Sequence, residues 1–440
     1  MKNYSTHVKS VLDNCINEIT HNSWLFVRRP GVDFTRSRKM TFDDTMKFLI
    51  SKQKNSTQEE LLSFYNYSTD TPTQSAFIQQ RDKILPEAFE FLFHEFTSSF
   101  SYDKTLKGYR LLACDGSSIN ISRNPDDESS YCLTDPYGKG FNQLHLNTVY
   151  DIYNKVYLDA IIQPYREMNE RQALWDMVDH YCQNNDDKVI FTVDRGYESF
   201  NTIAHFIENN ARFVLRAKDV TGKTTMLSTL GLPKQDEFDV DIKLFLTRST
   251  SQDIRSSPNI YKYIGNRPLD YMEKGKHALY YIAFRVVRFR VSDEDGGSYQ
   301  SIITNLPRYE FSAAEIKDIY SKRWGIETSF RELKYDDGII NFHSKKTDFI
   351  IQEIFAKLIL YNLCLIITMH VEVVEKDTKY QYKVNVSMAI PICIAFLLKS
   401  GNDPPMNVEK LIGRYIEPIR PGRNFPRYVR KRTPISFNYR

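Results

Sequence analysis

Residues 188–217 decide the fold class, and their sequence is KVIFTVDRGYESFNTIAHFIENNARFVLRA. A first apolar run predicts a strand that ends at Asp194, and a second predicts a strand over 212–217. Between them, apolar residues at helical spacing predict a helix over 199–209. Strands that alternate with helices are typical of α/β folds, so the segment predicts a sheet covered by helices.

The residues before this segment extend the same sheet. The sequence GYRLLACDGSSINI at 108–121 predicts a strand that ends at Asp115, and residues 144–165 predict a β-hairpin. A helix is predicted over 170–184. The order strand, hairpin, helix, strand, helix, strand is that of a ribonuclease-H-like fold.

The flanks of this core complete the predicted fold, an α/β chain with a ribonuclease-H-like catalytic core and an inserted all-β domain. A helical N-terminal DNA-binding region and a helical C-terminal region complete the chain. The predicted units are the N-terminal region at 1–105, the first part of the core at 106–217, the all-β insertion at 218–306, the second part of the core at 307–375, and the C-terminal region with its basic tail at 376–440.

Residues 71–96 admit two interpretations. They predict two short helices broken near Pro86, a pattern compatible with a DNA-binding helix-turn-helix. On that interpretation Gln74, Gln79, Gln80 and Arg81 would be exposed. A plain helical packing unit explains the same residues equally well.

Two aspartates stand at the ends of predicted apolar strands, Asp115 and Asp194. A strand end is where a buried sheet presents a side chain at an open edge. Two carboxylates there can share a divalent cation, because Mg²⁺ prefers hard oxygen ligands. Either aspartate alone is also explained as a helix cap or a turn residue.

A third acidic residue lies in the sequence SAAEIKDIYSKRWGIETSFRELK at 312–334. Ser312 followed by Glu315 forms a capping box, which predicts a long helix from this point. On a helical wheel, one stripe about 60° wide holds four polar side chains, with an apolar face beside it. The stripe consists of Tyr320, Arg323, Glu327 and Lys334, and the apolar face of Ile319, Ile326, Phe330 and Leu333.

The spacing of this stripe, Y-(2)-R-(3)-E-(6)-K, resembles the signature of bacterial DDE transposases of the insertion-sequence-four type. The sequence TVDRGYES around Asp194 resembles the second-aspartate region of that family, and DGSSI from Asp115 resembles the first. The resemblance covers about residues 30–435. It implies a ribonuclease-H-like core interrupted by a β insertion, which precedes the helix that carries Glu327.

The resemblance also implies the catalytic chemistry. Asp115, Asp194 and Glu327 would be the catalytic triad and the metal ligands. The cofactor would be two Mg²⁺ ions, with Mn²⁺ as an alternative, which activate a water or a DNA 3′-hydroxyl and stabilise the leaving oxygen. The expected activity is that of a Mg-dependent DNA endonuclease and strand transferase.

Three further residues of the stripe would bind DNA on the same resemblance. Tyr320, Arg323 and Lys334 would hold phosphates of the transposon end beside the scissile bond. The implied partners are double-stranded DNA, namely the terminal inverted repeats of the element and its target DNA. A homodimer on synapsed ends is also implied.

The sequence departs from some relatives in one respect. Those relatives hold a flipped base of a DNA hairpin with a tryptophan of the insertion. The three tryptophans here are Trp24, Trp175 and Trp324, all outside 218–306. Either Tyr280 or Phe284 could take the place of this tryptophan, or the DNA hairpin is handled differently in this protein.

Composition limits the other classes of function. The chain has 440 residues and a net charge of +4, and basic residues are concentrated at 28–54, eight against three acidic, and at 414–440, eight against one. Such clusters bind phosphates without reading sequence. We find neither GxxxxGK[ST] nor GxGxxG, which disfavours P-loop and Rossmann nucleotide enzymes.

Cysteine spacing and hydropathy predict the environment of the protein. The six cysteines form no CxxC pair, which predicts free thiols in a reducing cytoplasm. Association with the bacterial nucleoid is implied by the family resemblance. The apolar stretch 354–369 is interrupted by Lys357 and Asn362, so we interpret it as a buried helix and expect no membrane association.

Three functions fit these patterns. The first is a cut-and-paste transposase of an insertion sequence. The second is a catalytically inactive, transposase-derived DNA-binding protein, against which the presence of all three carboxylates counts. The third is a ribonuclease-H-like nuclease on branched nucleic acid, which the long insertion and the polar stripe disfavour.

Overall fold

The computed structural model describes residues 4–133, 139–222, 225–275, 277–292, 298–339, 342, 344–374, 379–399 and 404–419. Most of the basic tail predicted above, residues 420–440, therefore lies outside the described residues. The helices are α1 Tyr4–His21, α2 Phe42–Ser51, α3 Thr57–Phe64, α4 Gln74–Arg81, α5 Glu87–Ser98, α6 Glu170–Asn184, α7 Phe200–Glu208, α8 Gln252–Ser256, α9 Ala313–Lys322, α10 Trp324–Arg331, α11 Thr347–Thr368, α12 Val386–Leu397 and α13 Val408–Ile412. The strands are β1 Arg110–Ile121, β2 Tyr131–Cys132, β3 Phe141–Asp151, β4 Val156–Pro164, β5 Val189–Val193, β6 Arg212–Ala217, β7 Phe238–Thr247, β8 Tyr261–Tyr263, β9 Leu279–Ser292, β10 Ser298–Thr304, β11 Tyr382–Val384 and β12 Ile416–Pro418.

One large mixed sheet organises the described part of the chain. It has ten strands in the order β2-β3-β1-β5-β6-β10-β9-β7-β8, with β4 paired to β3. Strands β1, β5 and β6 are parallel, whereas β3 and β4 form an antiparallel hairpin beside β1. The predicted α/β class is therefore confirmed.

The strands predicted as an insertion continue this sheet. Strand β10 pairs antiparallel with β6 through four register pairs, from Ser301 with Ala217 to Thr304 with Val214. Strands β9 and β7 follow outward from β10. The segment also holds the short helix α8, so it is not composed of strands alone.

Helices cover both faces of the sheet. Helices α6 and α7 pack on one face with a buried apolar cluster that reaches into the outer strands. The other face is covered by α9 near β6 and β10, and by α10, α11 and the N-terminal helices near β1, β3 and β4. All six cysteines are free thiols, as the sequence predicts.

Helix α11 is the central helix of the second face. It is long and apolar enough to cross a membrane by length and composition, but 89% of its most apolar stretch is buried inside the protein. Its two polar interruptions are satisfied in the core. Asn362 donates to the Tyr157 carbonyl at 2.7 Å, and Lys357 Nζ donates to Asp337 Oδ1 at 3.2 Å. It begins seven residues before the apolar stretch 354–369 that the sequence indicated as a buried helix, and it ends one residue before the end of that stretch.

The end of α4 is packed against α11, and the prediction that Arg81 is exposed is wrong. Arg81 is 2% exposed, and its Nη1 lies 2.7 Å from Glu353 Oε1. Its Nε donates to Gln352 Oε1 at 2.8 Å. A local helix pattern cannot show that a distant helix supplies partners for a terminal arginine. Gln74 and Gln79 are exposed, as predicted.

Lys52 gives the stability of this region a specific pH dependence. Its Nζ donates to Thr57 Oγ1 at 2.9 Å, and burial lowers the pKa of Lys52 to about 8. Between about pH 8 and about pH 10 the unfolded chain then binds more protons than the folded protein, so stability contributed here rises with pH. We expect Lys52→Met to remove that rise, measured by urea unfolding across this range. The exposed Lys54, changed to Met, is the control and should keep it.

Candidate active site

Two aspartates meet at the carboxyl ends of the central parallel strands. Cys114 of β1 lies opposite Val193 of β5 in the parallel register. Asp115 and Asp194 follow these two residues directly. The prediction that β1 ends at Asp115 is wrong, because the other edge of β1 pairs with β3 as far as Ile121. Asp115 therefore lies inside a strand, at the point where its parallel neighbour stops.

The predicted long helix after Ser312 is divided into three segments. The capping box at Ser312 and Glu315 is present. Between α9 and α10 the Arg323 N–H donates to the Tyr320 carbonyl, a tighter turn than in an α-helix. After α10, residues Glu332–Asp336 form a π-helical turn. The apolar face is nevertheless buried as predicted, at Ile319, Ile326, Phe330 and Leu333.

Arg323 connects two of the three carboxylates. Its Nη2 donates to Glu327 Oε1 at 2.8 Å, and its Nη1 lies 3.4 Å from Asp115 Oδ2. The arginine is 4% exposed, whereas the two acidic side chains keep about a quarter of their surface open to solvent. The guanidinium therefore neutralises the acids from within the protein while the opposite side stays accessible.

Asp194 is held by two other groups. Tyr320 Oη donates to Asp194 Oδ1 at 3.1 Å, and Arg216 Nη1 lies 3.6 Å from the same oxygen. Tyr320 is 5% exposed, so in this conformation its hydroxyl is directed to the aspartate. Five of the six predicted site residues are thus linked by direct contacts.

The sixth residue, Lys334, lies in the π-helical turn beside the same strand as Asp115. Its Nζ donates to the Ser118 carbonyl at 3.1 Å. Ser118 is three residues beyond Asp115 in β1. The Lys334 ammonium group therefore lies beside β1, further along the strand than Asp115. The turn that carries it is fixed to α11, because Tyr361 Oη donates to Glu332 Oε2 at 2.8 Å.

The electrostatics of the site follow from partial burial of several acids. Burial raises the pKa of Asp115 to about 6, while Arg323 and the Gly116 N–H favour the ionised form. Glu327 and Asp194 raise the same pKa because they are also acidic. Burial would lower the pKa of Arg323, but Tyr320 and the nearby carboxylates raise it, so the arginine stays charged.

The donor set of this site fits a hard divalent cation. Carboxylate oxygens are the ligands that Mg²⁺ and Mn²⁺ prefer. Within the described residues, no three acidic, histidine or cysteine side chains are already arranged as a metal-ligand group. Positive charge is supplied between the acids by Arg323. Asp115, Asp194 and Glu327 are therefore suitable ligands whose side chains must adjust around an ion.

Sequence reasoning missed Arg216. It lies near the carboxyl end of β6, the parallel neighbour of β5, in the sequence RFVLRA. A basic residue at the end of the strand next to that of Asp194 is the signal that points to it. Tyr280 and Phe284, which the sequence left open as substitutes for the tryptophan, are both buried in the apolar cluster that packs against α6 and α7.

A protein family and a solved structure are similar to this chain. Residues 106–363 match the transposase DDE domain. Among solved structures, the chain is similar to a piggyBac transposase synaptic complex with hairpin DNA, at 10% identity and a TM-score of 0.44, over 96% of this chain and 87% of that one. No curated protein matches the chain. Because the match covers more than half of its length and includes all three carboxylates, the chain belongs to the transposase DDE domain family.

Proposed function

We propose that the protein is a cut-and-paste DNA transposase of the insertion-sequence-four type, which cleaves the ends of its element and joins them to target DNA. The observation that carries this proposal is the convergence of Asp115, Asp194 and Glu327 around Arg323 and Tyr320. The strand order β4-β3-β1-β5-β6 supports a ribonuclease-H-like core. The spacing of Tyr320, Arg323, Glu327 and Lys334 supports the subtype.

In this proposal Asp115, Asp194 and Glu327 hold two Mg²⁺ ions, for which Mn²⁺ can substitute. The ions would activate the attacking oxygen and stabilise the leaving oxygen during in-line displacement at phosphorus. The three side chains supply oxygen donors from a sheet and a helix that the core fixes in place. Their open side is where the scissile phosphate would enter.

The basic residues of the site would hold DNA. The Arg323 guanidinium contacts Glu327 and Asp115 in this conformation, so its planar fork would reach phosphate oxygens once these side chains adjust around an ion. Lys334 offers a compact charge. Tyr320 keeps Asp194 oriented through its hydroxyl and would contact the DNA backbone at the same place. These roles support the assignment of the three residues as DNA-binding.

The remaining proposals concern partners and organisation. We propose double-stranded DNA as partner, both as terminal inverted repeats and as target, held by a homodimer in the bacterial cytoplasm at the nucleoid. The exposed Arg36 and Arg38 in the basic stretch 28–54 would add sequence-independent contacts. The five-part division at 105, 217, 306 and 375 is proposed as the functional organisation.

Strand transfer is the experiment that tests the proposed function. The DNA flanking the gene is first searched for inverted repeats, and purified protein is mixed with a pre-cut DNA that ends in such a repeat, a target plasmid, and Mg²⁺. We expect joined products that require the repeat. Cleavage of branched DNA without joining would favour the nuclease alternative, and repeat binding without either reaction would favour the inactive derivative.

Lys334→Ala is expected to weaken binding to the element end. Removal of one phosphate contact should reduce the slope of log affinity against log salt by about one. The measurement is the Kd for an end duplex over a series of salt concentrations. Lys322→Ala is the control, since Lys322 lies on α9 and pairs with Asp318. An unchanged slope and Kd in Lys334→Ala would contradict the assignment.

A further inference from the structure

The first turn of α6 contacts the segments that follow both aspartates. Glu170 Oε1 lies 3.0 Å from Nε2 of His145, a residue of β3 beside β1. Arg171 Nε donates to the carbonyl of Gly196 at 3.0 Å, and Gly196 is two residues after Asp194. Adjacent residues of one helix thus reach the neighbourhood of Asp115 and of Asp194.

On the Asp115 side, Glu170 contacts His145, and His145 in turn lies against Gly116, the residue after Asp115. The Gly116 N–H donates to Asp115 Oδ1 at 2.9 Å, so the backbone at this position orients the carboxylate. A Cβ at Gly116 would overlap with His145 Nε2, since the two atoms would be closer than real Cβ atoms approach. His145 is 4% exposed, and its Nδ1 is 3.5 Å from Ser118 Oγ. The imidazole therefore occupies the space that a side chain at Gly116 would need.

On the Asp194 side the contact is to the backbone alone. Asp194 precedes a short 3₁₀ turn, Arg195–Tyr197, and Arg171 binds a carbonyl within that turn. Glu170 Oε2 is also 4.0 Å from the position of a Cβ at Gly196. The Glu170 carboxylate consequently lies close to both aspartate segments.

We propose that Glu170, His145 and Arg171 are positioning residues that set the relative placement of Asp115 and Asp194 for metal binding. The inference rests on the proposed function. It adds to that function three residues that support the metal ligands. None of the three belongs to the polar stripe around Glu327.

If Glu170 only stabilised the fold, its removal would lower the melting temperature and Mn²⁺ binding in parallel. The contact is open to solvent on one side only, with the Glu170 side chain 40% and the His145 side chain 6% exposed, so its loss should cost much less stability than the loss of a fully buried ion pair. Groups that orient metal ligands typically change metal affinity by 10–100-fold when they are removed. Positioning therefore predicts a large effect on ion binding with little effect on the melting temperature.

The test measures Mn²⁺ binding to the full chain by electron paramagnetic resonance, without DNA, together with thermal unfolding. We expect Glu170→Ala to weaken Mn²⁺ binding by about 10–100-fold, with Glu170→Gln between Glu170→Ala and wild type. Asp176→Ala, on the exposed side of the same helix, should bind as wild type does. All three should keep the wild-type Tm.

Two further variants test the steric contact. Gly116→Ala should weaken Mn²⁺ binding because the added methyl group displaces His145 or the backbone beside Asp115. His145→Ala alone should also weaken Mn²⁺ binding, because Glu170 then loses its contact beside β1. Added to Gly116→Ala it should weaken binding little further, because both changes disrupt the same contact. Gly116→Ala with wild-type affinity would overturn this step.

The outcomes separate the inference from the proposed function. Mn²⁺ binding that survives Asp194→Asn would overturn the proposed function, and the inference with it. Binding that requires Asp194 but is equal in wild type and Glu170→Ala would overturn the inference alone. A parallel loss of Tm and Mn²⁺ binding in both Glu170 variants would also overturn it, since that is the structural pattern.

Discussion

Asp194→Asn is expected to abolish DNA cleavage and strand transfer, by on the order of 10³-fold or more, while DNA binding is retained. Asparagine has the shape of aspartate but lacks its charge, so it still accepts a hydrogen bond from Tyr320 while it loses most of its affinity for a divalent cation. The measurements are the single-turnover rate on an end substrate with Mg²⁺ and the Kd for the same DNA.

The combination of variants makes this prediction sharper. If Asp115, Asp194 and Glu327 act as one unit, the double variant Asp194→Asn with Glu327→Gln should be hardly slower than either single variant. Multiplicative losses would instead indicate independent contributions. Asp318→Asn is the matched control, because Asp318 is a largely exposed acid on α9. Substantial cleavage by purified Asp194→Asn would contradict the assignment of the triad.

Arg81→Ala is expected to produce the largest loss of stability, about 3–5 kcal/mol. Removal of the guanidinium takes away the cation that lies 2.7 Å from the buried Glu353 and the donor to Gln352 Oε1. Loss of one partner of a buried ion pair is costly because the remaining charge stays out of water. Urea unfolding followed by circular dichroism measures the change.

A neighbouring ion pair provides the control. Lys346 pairs with Asp82, the residue after Arg81, but both side chains are about half exposed. Lys346→Ala should therefore cost less than about 1 kcal/mol. The double variant Arg81→Met with Glu353→Met should regain part of the loss, since no unpaired charge remains. Equal small effects of Arg81→Ala and Lys346→Ala would show that the buried pair is not important for stability.

The sequence predicted those features that depend on local patterns. Apolar runs located the strands before Asp115 and Asp194, and helical spacing placed Glu327 beside the buried face of its helix. These features follow from properties of neighbouring residues in the chain. The family resemblance then indicated that the three acids belong together, and the structure brings them to one edge of the sheet.

The errors concern features that depend on distant partners. Strand β1 continues past Asp115 because β3 supplies hydrogen bonds there, and no local pattern specifies which strand is the neighbour. Arg81 is buried because α11 brings Glu353 to it. Arg216 reaches Asp194 only because β6 lies beside β5. In each case the deciding contact joins residues far apart in sequence.

The pairing of β6 with β10 has a mechanical consequence. Because these strands share backbone hydrogen bonds, bending the outer strands away from the aspartates would require breaking the ladder between them. Among the described residues, the strands from β1 to β7 consequently form one continuous sheet in which each strand pairs with the next. Any DNA bound along the outer strands would lie at a distance from the catalytic edge that backbone geometry determines.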